Sequence, residues 1–271
     1  MSKAANSGSA GVVYVAVGES YVGEACESVA SLKRQHPDLE ATLFTDEPPE
    51  TSLFTRVVRL DSPMQPLAQR VRCLIDSPYE RTLALDTDTY ICGSIIDLFP
   101  LLDHFDLAAA HGVRRLVPGD LEVYRRILGD DIDGIPASFT QLNIGALLFR
   151  KSPQVLEFFS NWLELYLQHL ERAKQASFCE PRWKGIAEQP SFRKTLYQSN
   201  LRWVTLSSEY NCIFRMPGYV HGEVKILHGR HKNLQEVAQT LNSTTGERVF
   251  TVNSGTLRVI GPGGNSKALP L

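Results

Sequence analysis

The chain has 271 residues, 43% of them hydrophobic and 21% charged, which is enough apolar material for one sizeable core or two modest ones. Its net charge of −2 gives no reason to expect nucleic acid or an anionic membrane as a partner. No apolar run approaches the ~18 residues that span a bilayer, so no transmembrane segment is expected.

Met1 to Ala10 is small and polar with no apolar h-region, and reads as a disordered lead-in rather than a secretory signal. The cysteines, Cys26, Cys73, Cys92, Cys179 and Cys212, are odd in number and scattered, with no Cys-x-x-Cys pair. Reduced thiols in a cytoplasmic protein are the expectation, most of them small core residues.

Gly11 to Val17 is β-branched and apolar almost throughout, as in a strand covered on both faces, and Gly18 closes it. Val22, Ala25, Cys26, Val29 and Leu32 then recur at helical spacing through Lys33, with Pro37 as the latest end point. Ala41 to Thr45 and Val57 to Leu60 are the next strands. This β-α-β start predicts a mostly parallel sheet with helices on both faces.

Pro66 to Ile75 reads as a helix carrying Arg70 and Arg72, and it leads into a strand that ends at Asp86. Phe105 to Ala110 is another strand, and Asp120 caps a short helix running to Leu128 after the Pro118-Gly119 turn. Asn143 to Arg150 reads as a strand. Ser152 and Pro153 make a cap and first turn for a long helix with the face Val155, Phe159, Trp162, Leu163, Tyr166 and Leu170. Residues 171 to 185 read as irregular and Glu188 to Tyr197 as a helix. Short strands are expected at Arg202 to Leu206 and Val224 to Leu227, the second ending at His228. A small helix over Leu234 to Leu241 and a hairpin over Arg248 to Ile260, turning near Asn253 to Gly255, follow. The last ten residues, rich in Gly and Pro, are expected to be loose. No internal repeat appears, so one domain is the count.

Asp86 and Asp88 carry the most informative pattern. A short apolar run, Leu83 to Leu85, ends in two carboxylates one residue apart, and apolar character returns at Ile91. In an extended segment residues i and i+2 point the same way, so both acids can aim at one object. Like charges that close repel unless a cation sits between them, and Mg²⁺ or Mn²⁺ takes carboxylate oxygen while sharing its other positions with phosphates. The carboxyl end of a buried strand is also where open α/β sheets bind ligands. A polar turn is the plainer alternative. The Asp-x-Asp-x-Thr of haloacid-dehalogenase phosphatases fits less well, because the fifth position is Tyr90 and the pair comes late in the chain.

Leu83-Ala84-Leu85-Asp86-Thr87-Asp88-Thr89-Tyr90, then Gln141-Leu142-Asn143-Ile144-Gly145, Glu188-Gln189-Pro190-Ser191-Phe192 and Ile226-Leu227-His228-Gly229, follow in order. Together with the strand-helix start they resemble a glycosyltransferase of the GT-A fold, a nucleotide-diphospho-sugar transferase akin to the glycogenin-like (family 8) enzymes. The resemblance spans residues 11–230, a single Rossmann-like GT-A domain, and leaves 231–271 as a C-terminal extension of a small helix and hairpin packed on it.

The resemblance implies a metal held by Asp86, Asp88 and His228, with Asp86 also a candidate for a ribose contact and His221 or His231 open as substitutes for His228. It implies a nucleotide pocket from Val17, Tyr21 and Asp46, with Thr87 between the acids. Tyr21 could stack on a base or be a half-buried aromatic, and Asp46 could meet base or ribose or be a turn residue. Arg70, with Arg72 as the second choice, falls near the diphosphate. Asn143 and Gly145 fall on the acceptor-side strand, where Gly permits close approach to the sugar or marks a bulge. Glu188 and Gln189 match the family's Asp-Gln pair, with Glu longer by one methylene. Glu188 is the candidate for the general base that an inverting reaction needs. The family's Lys-Pro-Trp signature is missing, since His228 is followed by Gly229-Arg230-His231-Lys232.

The expected activity is transfer of a sugar from a nucleotide-diphosphate donor, UDP-linked by resemblance, to a hydroxyl acceptor, with Mn²⁺ or Mg²⁺ as cofactor. Loops 112–140 and 171–187 would choose the acceptor, which could be a glycan, a protein or a small molecule. A nucleotidyltransferase acting on a sugar phosphate is one alternative, although Val17-Gly18-Glu19-Ser20 is acidic where such enzymes carry a basic Gly-rich loop. A non-catalytic nucleotide-sugar binding module is the other.

Overall fold

The structure, a computed structural model, describes residues 9–112, 127–128, 134–136, 138–177, 186–244 and 246–271. Its centre is a sheet built from β1 (Ala10–Ala16), β2 (Glu40–Thr45), β3 (Arg56–Arg59), β4 (Arg81–Leu85), β6 (Leu107–His111), β7 (Leu142–Arg150) and β8 (Trp203–Leu206). Its order is β3-β2-β1-β4-β7-β6-β8, with every neighbour parallel except those of β7. The expected mostly parallel sheet is therefore present.

Side-chain alternation divides the core. Val12, Tyr14, Leu83 and Leu85 face α1 (Glu19–Gln35), whose Val22, Ala25, Val29 and Leu32 are buried against them. Ala84, Leu107, Leu147 and Phe149 face α2 (Pro66–Ile75), α3 (Pro153–Gln175) and α4 (Gln189–Gln198) on the other side. A strand buried on both faces has no polar side, which is why these segments read as continuous apolar runs.

Local signals set the helix ends. Ser152 accepts from the N–H of Val155 at 3.3 Å, with Pro153 in the first turn. Gln65 caps α2 in the same way, accepting from the Ala68 N–H at 3.0 Å. Gly18, just before α1, has φ of +94°, a conformation that favours glycine.

A small sheet, β5 (Thr89–Ile91), β11 (Ile226–His228) and β9 (Cys212–Ile213), adjoins the carboxyl end of β4. A four-stranded antiparallel sheet, β10 (Gly218–Val220), β12 (Arg248–Asn253), β13 (Thr256–Ile260) and β14 (Ser266–Pro270), packs with α5 (Leu234–Leu241) around Phe214, Val237, Leu241 and Phe250.

Several expectations need correction. The last ten residues are not loose, because β14 pairs with β13 from Thr256 to Ile260 and buries Leu269. Residues 171–175 are helical, since the buried Ala173 continues the inner face of α3 and Arg172 and Lys174 suit its carboxyl end. Phe105 lies outside β6, its N–H closing a turn onto Leu101. Ala10 belongs to β1 rather than to the lead-in, and β11 ends at His228 as expected but begins at Ile226 rather than Val224. The rest of the lead-in, the Pro118-Gly119 turn, Cys179 and the start of the Asp120 helix lie outside the described residues; Ile127 and Leu128 are helical. Among the described residues no helix is long and apolar enough to cross a membrane.

Candidate active site

β4 ends at Leu85 and β5 starts at Thr89, so the acids occupy the turn between two strands. Main-chain bonds fix that turn. The Asp86 N–H donates to the Gly145 carbonyl at 2.8 Å, and the Gly229 N–H donates to the Asp88 carbonyl at 2.9 Å. The Thr89 hydroxyl donates to the Asp86 carbonyl at 2.8 Å.

β11 runs antiparallel to β5 with His228 opposite Thr89. This register carries the imidazole over the acids, placing Nε2 3.4 Å from Asp88 Oδ1 and 3.6 Å from Asp86 Oδ2. Of the alternatives, His221 lies near Glu247 at 4.0 Å and His231 Nδ1 contacts the carbonyl of Asn233. Among the described residues, the group able to hold a metal is Asp86, Asp88 and His228.

A bulge in β7 builds the floor. Ala109 faces Leu147 but Ala110 faces Asn143, so Ile144, Gly145 and Ala146 fall out of register with β6. Arg70 Nη2 donates to the carbonyl of Ile144 at 2.5 Å, and the Asp86 N–H extends the β4–β7 pairing onto the carbonyl of Gly145. A Cβ on Gly145 would stand 2.2 Å from His228 Cε1. The group set against Gly145 is thus the imidazole, where resemblance had suggested a sugar.

Arg70 places Nε 3.0 Å from Asp86 Oδ1, while Arg72 points away and pairs with Asp76 at 3.4 Å. The Nη1 of Arg70 is buried without a partner. Glu188, at the start of α4, is buried too. Burial pushes its carboxyl up, Arg70 pulls against that rise and Asp86 adds to it. Gln189 accepts from Gln141 Nε2 at 3.0 Å.

Val17, Gly18, Tyr21, Asp46, Arg70, Thr87, both acids and His228 line one cleft of about 320 Å³. Asp46 Oδ1 accepts from the Gly18 N–H at 2.9 Å, which spends one of its two oxygens. Asn143, Gly145, Glu188 and Gln189 are not in the lining but stand behind it. A larger open groove of about 730 Å³ between α3 and α4 contains none of these residues.

Sequence reading missed Glu24, Asn211 and Arg230. Arg230 Nη1 lies 2.9 Å from Asp88 Oδ2, and its Nη2 donates to Glu24 at 2.9 Å. Glu24 also accepts from the Thr87 hydroxyl at 2.8 Å. The guanidinium carbon lies 5.9 Å from the ring centre of Tyr21. Glu24 sits one turn after Tyr21, and Arg230 two residues after His228, so proximity to residues already singled out was the available signal. Asn211 offered none.

Burial disfavours charge on His228 and Asp88, but attraction between the groups prevails. Asp88 and Asp86 hold the imidazole above its ordinary value, while His228 and Arg230 hold the Asp88 carboxyl below its own.

The donor set suits a divalent ion. An ion about 2.1 Å from each ligand separates neighbouring ligands by about 3 Å and opposite ones by about 4.2 Å. The 3.4 and 3.6 Å spacings fall between these limits. Two carboxylates and an imidazole match Mn²⁺, and the carboxylates alone match Mg²⁺.

No protein-family model and no curated protein sequence matches this chain. Among solved structures it is similar to apo mouse xyloside xylosyltransferase 1, with a TM-score of 0.52 and 16% identity, over 81% of this chain and 97% of that one. It is also similar to the glycosyltransferase GlyE of Streptococcus pneumoniae TIGR4, with a TM-score of 0.50 and 17% identity, over 84% of this chain and 59% of that one. The chain has the GT-A glycosyltransferase fold.

Proposed function

We propose that this chain is a metal-dependent glycosyltransferase, moving a sugar from a nucleotide-diphosphate donor, UDP-linked in our reading, to a hydroxyl acceptor. The observation that carries the reading is the convergence of Asp86, Asp88 and His228 in the cleft that Val17, Tyr21 and Asp46 also line. Asp86, Asp88 and His228 would hold Mn²⁺ or Mg²⁺, which supplies neutralisation of the charge growing on a departing diphosphate.

The chain's own groups do the rest. Tyr21 offers a ring face to the base, and the second oxygen of Asp46 accepts from base or ribose. Arg70, which lines the cleft and pairs with Asp86, brings a fixed positive charge to the diphosphate side, and a charge fixed in advance costs no reorganisation during the reaction. Asn143 and Gly145 support the floor. Gln189, with its carbonyl engaged by Gln141, positions the acceptor side of the site from behind the cleft lining. Glu188 balances Arg70 from behind. The free thiols of Cys26, Cys73, Cys92 and Cys212 suit the cytoplasm as the place of action.

A thermal-shift panel of nucleotide sugars, each with and without Mn²⁺, tests this reading, because a ligand that binds the folded state raises its Tm by mass action. A UDP-sugar should raise Tm in the presence of Mn²⁺ and much less in its absence. A panel with no shift in either condition contradicts the proposal.

A further inference from the structure

We infer that Asn211 is a positioning residue that fixes which nitrogen of His228 faces the acid pair; the inference rests on the metal site proposed above. The Gly145 N–H can only donate, so the Asn143 side-chain atom 3.0 Å from it is the carbonyl oxygen Oδ1. The Asn211 atom 2.7 Å from that oxygen also lies 3.2 Å from the main-chain carbonyl of Asn143. Two acceptors face it, so it is the amide nitrogen Nδ2.

Asn211 therefore turns its Oδ1 to His228 Nδ1, 2.9 Å away. An oxygen there requires the proton on Nδ1. The lone pair of the neutral imidazole is then on Nε2, the atom that stands over Asp86 and Asp88. A ligand imidazole is commonly held this way, its other nitrogen donating to a neighbouring acceptor.

The backbone makes the arrangement rigid. Asn211 is 4% exposed and immediately precedes β9, which pairs in parallel with β11. Gly145 acts twice: its N–H sets the direction of the relay, and its missing side chain admits the ring. The polarity thus runs from the β7 bulge through two amides to the imidazole.

The test is nitrogen NMR on protein carrying ¹⁵N-histidine, with the His228 signal assigned by its loss in His228→Gln. Spectra are taken without metal at a pH where the imidazole is neutral, and again with Zn²⁺ as a diamagnetic probe. A proton on Nδ1 is expected in both, and a proton on Nε2 in either overturns the inference. Calorimetry with Mn²⁺ adds a second reading. Asn211→Leu should bind about 10- to 100-fold more weakly. Wild-type affinity in Asn211→Leu overturns the inference. If the wild-type protein binds neither ion, the metal reading fails, while the position of the proton in the metal-free spectrum still decides the relay.

Discussion

Arg230 Nη1 lies 2.9 Å from Asp88 Oδ2, while Nη2 of the same guanidinium holds Glu24 on α1. With Oδ2 taken by Arg230, Asp88 is left with Oδ1 toward His228. The loop after β11 is thereby tied both to the acid pair and to the first helix.

Replacing Arg230 by Ala should keep the fold and raise the donor KM about fivefold, the effect of one charge-assisted bond reduced by solvent screening. Steady-state kinetics against donor concentration check this. A KM equal to that of the wild type would remove Arg230 from the site's support.

Gly145→Ala should displace the imidazole, because a Cβ there cannot coexist with His228 Cε1 at 2.2 Å. A loss of about 10- to 100-fold in Mn²⁺ affinity is expected, comparable to losing the support of a ligand. Calorimetric affinity unchanged by the extra methyl would contradict the placement of the ring.

The pH dependence of metal binding has a definite sign. His228 is held above its ordinary value, so below that raised value an incoming ion must displace a proton. Mn²⁺ affinity should weaken by about tenfold per pH unit below that raised value and level off above it. Calorimetry in buffers of different ionisation enthalpy would detect the released proton. For the metal-free protein the trend reverses. A raised folded-state value contributes stability below the ordinary histidine range, and that stability is lost as pH rises through the raised value.

Leu269 ties the carboxyl-terminal strand to the core that the four-stranded sheet shares with α5. Leu269→Ala should cost about 2–3 kcal/mol, the lower part of the range for a buried leucine. Urea unfolding measures it, and an unchanged midpoint would mean that β14 does not dock.

What the sequence made legible depended on how locally each feature is encoded. α2 and α5 were readable to the residue because caps and apolar spacing lie within the segment. β5, β9 and β10 are two or three residues long, too short for alternation to register. β14 exists because β13 offers it an edge, and the Gly and Pro residues before it form a turn rather than a loose tail. The acid pair stood out as charge interrupting an apolar strand. Asn211 did not, since an asparagine becomes informative only when two distant strands, β7 and β11, bring Asn143, Gly145 and His228 around it. Gly145 was readable as either a bulge or a close approach; it is both, with a side chain as the approaching group.

The most direct measurement is donor hydrolysis in the absence of acceptor, following release of nucleoside diphosphate from a panel of nucleotide sugars. Slow cleavage is expected from the wild-type protein with Mn²⁺ and none after chelation. Asp88→Asn, folded by circular dichroism, should be inactive with the ion present. Full cleavage by Asp88→Asn with the metal chelated would contradict a divalent ion held between Asp86, Asp88 and His228.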